Sequence, residues 1–160
     1  NAGDGPRSYR LTIEWDTGKH GVSHVDVILD DSGNCSAEDI AHGLIFTSPA
    51  GFGAGVPEPC SVEYNALVEN SDPSIDLMAV VLKYEPRASN GCEPGSRGGA
   101  VYEFQSPYPP AMIDVEHLAL VQKFSNDTSY GSLRGVFPGL PCNPVANDAP
   151  TWGELKASYR

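Results

Sequence analysis

The sequence predicts an α+β domain: an antiparallel sheet of about five or six strands with two helices packed on one face, stapled by disulfides. Three observations lead there. Strand-like alternation recurs between turn residues, helical spacing appears at Ser36–Phe46 and again at Asp114–Phe124, and four cysteines are spread widely along the chain. A mostly β sandwich or barrel is the alternative. A length of 160 residues fits one domain, 1–160, with 1–8 and 143–160 as irregular ends.

Tyr9–Trp15 sets Tyr9, Leu11, Ile13 and Trp15 against Arg10, Thr12 and Glu14, the period of a half-buried strand. The turn Asp16–Gly21 leads into Ser23–Asp30, where Val25, Val27 and Leu29 share one face. Asp26 lies on the other, with Ile28 as an apolar exception beside it. A first hairpin is the expected pairing. Asp31-Ser32-Gly33-Asn34 is turn chemistry. Ser36-Ala37-Glu38-Asp39 then forms a capping box for a helix that carries Ile40, Leu44 and Ile45 and stops before Pro49.

Thr47–Pro59 reads as a flexible loop. Its Gly51-Phe52-Gly53-Ala54-Gly55 lacks the spacing and the following Lys of a phosphate cradle. Ser61–Glu69 alternates again, Asn70–Pro73 breaks it, and the apolar run Leu77–Tyr84 reads as a central strand covered on both faces. Pro86–Gly99 is a long loop and Ala100–Gln105 a further strand. A stiff proline-rich link leads to the second helix, Asp114–Phe124, with Val115, Leu118 and Val121 in helical register. Ser132–Phe137 is a last strand, and Trp152 and Leu155 are expected to pin the tail.

Cys35, Cys60, Cys92 and Cys142 contain no C-x-x-C pair, so two disulfides are expected rather than a zinc or redox site. Of the three connectivities, Cys35–Cys60 with Cys92–Cys142 ties each predicted element to a nearby loop. Disulfides imply an oxidising compartment, hence a secreted protein. Asn34-Cys35-Ser36 and Asn126-Asp127-Thr128 fit the N-glycosylation pattern, making Asn34 and Asn126 acceptor candidates. The start at Asn1 is read as a processed end, and the absence of a long apolar run predicts no membrane span.

Charge is the most uneven property of the chain. Net charge is −11, and between Lys19 and Lys83 ten acidic residues occur without one Lys or Arg. Such a surface repels a phosphate backbone, which argues against nucleic acid, and attracts a cationic protein or other extracellular ligand. Asp30, Asp31, Glu38 and Asp39 around the first helix, with Phe52 at a loop tip, are the expected partner surface.

Chemistry is harder to find. His20 and His24, four apart, could share a surface metal with Asp26 or Glu14, but no H-E-x-x-H context exists. Asp30–Asn34 lacks the register of a calcium loop, and no G-x-S-x-G is present. No metal ligand, cofactor or catalytic residue is therefore assigned.

The even cysteine set, the sheet-plus-two-helices order and the start at Asn1 resemble small secreted fungal proteins, including killer-toxin-like α/β sandwich proteins and host-directed effectors. The resemblance rests on format and carries no functional residue with it. The expected function is a small secreted acidic binding or effector-type protein that acts through its surface. A secreted hydrolase using a carboxylate or histidine pair is the rival. The two readings differ in whether such a pair lines a deep pocket.

Overall fold

The computed structural model describes residues 5–87, 91–113, 116–125 and 127–141. In chain order the elements are β1 (Arg7–Asp16), β2 (Val22–Asp30), α1 (Ala37–Ala41), β3 (Ile45–Gly55), β4 (Cys60–Glu69), β5 (Val80–Pro86) and β6 (Arg97–Ser106). Then come β7 (Pro110–Ile113), β8 (Glu116–Gln122), β9 (Thr128–Ser132) and β10 (Gly135–Pro138). Eight strands form one curled antiparallel sheet in the order β1-β6-β3-β4-β5-β2-β8-β9, and β10 pairs with β7 as a separate ribbon. The architecture is nearly all β, so the expected α+β sheet with two helices is incorrect.

The misread elements have identifiable causes. Strands β1 and β2 do not form a hairpin: β1 pairs with β6 at one edge of the sheet, while β2 lies between β5 and β8. The first helix forms where its capping box predicts, with Asp39 N donating to Ser36 Oγ at 3.2 Å and Ser36 N to Asp39 Oδ2 at 2.7 Å. It ends after one turn or so, where Gly43 N and Leu44 N donate to the Ile40 and Ala41 carbonyls in tighter turns, and Gly43 lies against Tyr108, whose ring would sit 2.0 Å from any added Cβ. Ile45, Phe46 and Thr47 then prefer the pleated surface of β3.

The expected loop Thr47–Pro59 is mostly strand. Gly51, Gly53 and Gly55 alternate onto one side of β3, where the Tyr102 ring, the Gly99 carbonyl and the Cys92 sulfur occupy the space of a side chain. These glycines permit close packing; they do not mark a flexible segment. The expected second helix is β8. Leu118–Val121 is a continuous apolar run between β2 and β9, with Ala119, Leu120 and Val121 buried, and such a run suits a doubly covered strand as well as a helix. Asp114, Val115, Trp152 and Leu155 lie outside the described residues.

The concave side of the sheet holds the core. Tyr9, Leu11, Ile13 and Trp15 of β1 meet Val25, Val27, Val62, Leu82 and Phe104, and α1 contributes the fully buried Ile40. At its centre Tyr84 stacks on Tyr102 with ring centroids 3.9 Å apart, and Tyr64 meets Tyr102 edge-on at 5.1 Å. The Tyr84 hydroxyl is buried without a hydrogen-bond partner among the described residues. Burial pushes the Tyr84 phenol well above its ordinary range. Tyr84→Phe is therefore expected to leave stability unchanged or raise it by up to about 1 kcal/mol in chemical denaturation. A loss larger than that would show that the hydroxyl has a partner, such as ordered water.

A disulfide joins Cys60 to Cys92 across 32 positions, with Cα atoms 6.0 Å apart. The expected pairs Cys35–Cys60 and Cys92–Cys142 are thereby both excluded. Cys35 is also disulfide-bonded, and Cys142 lies outside the described residues. The Cys60–Cys92 bridge anchors the start of β4 to the segment before β6, beside the backbone bridge between Val56 and Glu93. It fits an oxidising environment. No helix among the described residues is long and apolar enough to cross a membrane.

Candidate functional site

Asp72 is the fixed point of the densest polar cluster in the described structure. The chain leaves β4 through Asn70 and Ser71, and Asp72 caps the 3-10 turn Pro73–Ile75. Its Oδ1 accepts from Ser74 N at 3.0 Å and from Ser74 Oγ at 2.6 Å, while its backbone exchanges two hydrogen bonds with Leu77. That arrangement leaves Oδ2 to meet β2. There, His24 Nε2 approaches it at 2.5 Å.

His24 and Asp26 are two apart on β2 and so share a face. A bulge between Val22 and His24 makes Ser23 the extra residue, and Ser23 Oγ lies 3.2 Å from His24 Nδ1. Asp26 stands between Lys83 of β5 and Ala119 of β8 in the ladder. It is 0% exposed, its Oδ2 lies 3.8 Å from His24 Nε2, and neither carboxyl oxygen has a hydrogen-bond partner among the described residues. Lys83 Nζ sits 3.3 Å from Glu85 and 3.8 Å from both Glu69 and Asp72.

The titration of these groups follows from that placement. Burial, with the nearby Asp72 carboxylate adding to it, pushes Asp26 up to about 8. Burial alone would raise Asp72 as well, but the hydrogen bonds from Ser74 and His24, helped by the neighbouring Asp26 carboxyl, outweigh it and hold that carboxyl below the usual range. Burial lowers His24 against the opposing pull of Asp72, so the imidazole is neutral and its Nε2–H donates to Asp72. Lys83 is raised: burial works against its charge, but Asp72 and Glu85 prevail. The cluster thus combines a carboxyl that resists ionisation, a firmly ionised carboxylate and a neutral imidazole.

Of the sequence-stated possibilities, His24 and Asp26 do come together, but their partner is Asp72 of the β4–β5 connection. Neither His20 nor Glu14 joins them; His20 instead packs edge-on against Phe124. Asp72 and Lys83 went unrecognised. The available signal was Ile28: an apolar residue on the outer face of β2 indicates that this face is covered, so Asp26 beside it is buried.

The expected partner residues fall into two groups. Asp30 accepts from Ser32 N, Ser32 Oγ and Cys35 N, and Asp39 closes the capping box, so both carboxylates order their own turns. Asp31 and Glu38 are exposed and form no ion pair with any described residue. Asn34 is exposed, its side-chain amide donating to Ser32 Oγ, and Asn126 lies outside the described residues.

Phe52 is 54% exposed on the outer side of β3, separated from β2 by β4 and β5 in the sheet order. Between Phe46, opposite Phe104, and Gly51, opposite Tyr102, Thr47–Ala50 bulges out of the sheet. Arg87, paired with Glu63 at 3.1 Å, donates to Ser48 Oγ and steadies the bulge. On one side a cleft of about 390 Å³ is lined by Tyr9, Arg10, Ile45, Thr47 and Glu103. On the other, Pro49, Phe52 and Val101 line a smaller one of about 160 Å³.

Compared with family models, with curated proteins and with solved structures, the chain shows no match.

Proposed function

We propose that this is a secreted acidic binding protein that receives a cationic partner on the β3–β4–β5–β2 part of its sheet. The observation that carries the proposal is where the Lys- and Arg-free stretch ends up. Its strands β2, β3 and β4 fold beside one another with only β5 between, and the two cations nearby are consumed: Lys83 by Glu69, Asp72 and Glu85, and Arg87 by Glu63. Asp31, Glu38, Glu58 and Asp76 remain exposed without an ion pair to any described residue. A negative field concentrated this way speeds encounter with a basic partner, and Ile45 and Phe52 beside the β3 bulge supply exposed apolar contact. The hydrolase reading has less support, since His24, Asp26 and Asp72 line none of the clefts described above.

The test uses a lysine-rich peptide and the same peptide with glutamine at each lysine. Association of the basic peptide is expected to slow by about threefold or more between low and physiological salt. Asp31→Asn with Glu38→Gln is expected to slow it further, whereas Glu14→Gln with Asp127→Asn, which removes equal charge outside the stretch, leaves it nearly unchanged. Equal effects of the two double variants would reduce the acidic half to a matter of net charge. Equal binding of the two peptides would remove the proposal altogether.

A further inference from the structure

We propose that His24, Asp26 and Asp72 form a buried site for a divalent transition-metal ion of the zinc type, with Lys83 as the movable counter-ion. The three residues each offer one donor atom, and these atoms lie within 4.8 Å of one another. A zinc ion with bonds of about 2.0–2.2 Å spaces its ligand atoms roughly 3.5 Å apart, so side-chain rotation alone closes the site. The independent indication is Asp26. A fully buried carboxyl with neither oxygen hydrogen-bonded among the described residues is costly, and the groups it faces are His24 Nε2, Asp72 and Lys83. A bound cation satisfies it directly.

The donor set selects the ion. One imidazole nitrogen and two carboxylates suit zinc and its neighbours, whereas calcium requires six to eight oxygens that this pocket does not assemble. Coordination at His24 Nε2 places the ring proton on Nδ1, where Ser23 Oγ at 3.2 Å accepts it. That outer hydrogen bond is the one ligating histidines ordinarily carry. Asp72 is already oriented by Ser74 through its other oxygen. Lys83 has a way out, because Glu69 and Glu85 flank it and are themselves about half exposed.

The roles of Asp26 and Lys83 have opposite signs, and this separates a metal site from a purely structural ion cluster. The full chain, stripped with a chelator, is titrated with Zn²⁺ alone by calorimetry, and with Co²⁺ to read the ligand-field spectrum. One ion per chain is expected. Asp26→Asn should weaken binding by at least about tenfold, and Lys83→Gln, by removing a positive charge, should tighten it by about as much. His20→Ala with His42→Ala, at two histidines outside the cluster (His20 beside Phe124, His42 exposed at the end of α1), should change neither. Failure of both the wild type and Lys83→Gln to bind at about 1 mM zinc would overturn the proposal. So would binding that survives Asp26→Asn but is lost in the His20 and His42 variant.

Discussion

Replacing Asp26 with asparagine is expected to stabilise the metal-stripped protein at alkaline pH, by an amount on the order of 5 kcal/mol near about pH 9. The sign follows from linkage. The carboxyl has an ordinary value of 3.8 when exposed and about 8 in the fold, so the native state holds its proton more tightly than the unfolded chain. Its contribution is fully favourable below the unfolded value and is lost as pH rises through the folded one. Wild-type stability should therefore fall between roughly pH 4 and pH 8 and level off above. Asparagine has the same shape, carries no charge, and offers Asp72 a donor, so the falling limb should disappear. Two neighbours act in the other direction. The depressed values of Asp72 and His24 mean that their contributions are lost as pH falls. Urea unfolding across pH for both proteins measures this, and an Asp26→Asn protein that is less stable than wild type at about pH 9 would refute it.

Opening the Cys60–Cys92 bridge is the other large effect. The closed loop spans 32 positions. On the chain-entropy model its release costs roughly 3–4 kcal/mol, a large share of the stability of a domain this size. Cys60→Ser with Cys92→Ser removes the bridge without adding bulk, and Gly55, whose added Cβ would lie 2.4 Å from Cys92 Sγ, shows how tightly that corner is packed. A guanidinium midpoint unchanged from wild type would mean that the packing of β3, β4 and the Val56–Glu93 bridge holds the corner by itself.

What could be read from the chain divides along physical lines. Alternation located β1 and β4 because one face of each is buried and the other wetter, and it located β2 although the second face of that strand is covered at His24 and Asp26. The nearly unbroken apolar run Leu77–Tyr84 located β5, which is covered on both faces, although the strand begins only at Val80. The same kind of run in Leu118–Val121 was misread, because continuous burial erases the period that separates strand from helix. Local capping chemistry placed the start of α1 correctly but not its end: the chain turns at Gly43, which packs against Tyr108 65 positions beyond, and no local signal reports such a contact. The glycines of β3 were misread for the same reason: their neighbours are Tyr102, Gly99 and Cys92 on distant elements.

The candidate site was partly visible in the same sense. His24 and Asp26 stood out as polar residues in a strand, but Asp72 is 48 positions from His24, and only the fold of the β4–β5 connection brings it there. The disulfide pairing failed on the same point: which cysteines meet is decided by strand order, and the spacing along the chain leaves it open.

The protonation of the buried cluster is open to direct measurement. With aspartate carboxyl carbons labelled in the metal-stripped protein, NMR follows each group across pH. The Asp26 resonance is expected to remain that of a neutral carboxyl through about pH 6 and to titrate near 8, while Asp72 stays ionised below the ordinary carboxylate range. An Asp26 resonance already ionised at about pH 5 would contradict a carboxyl sealed between Lys83 and Ala119, and with it the chemistry assigned to this part of the fold.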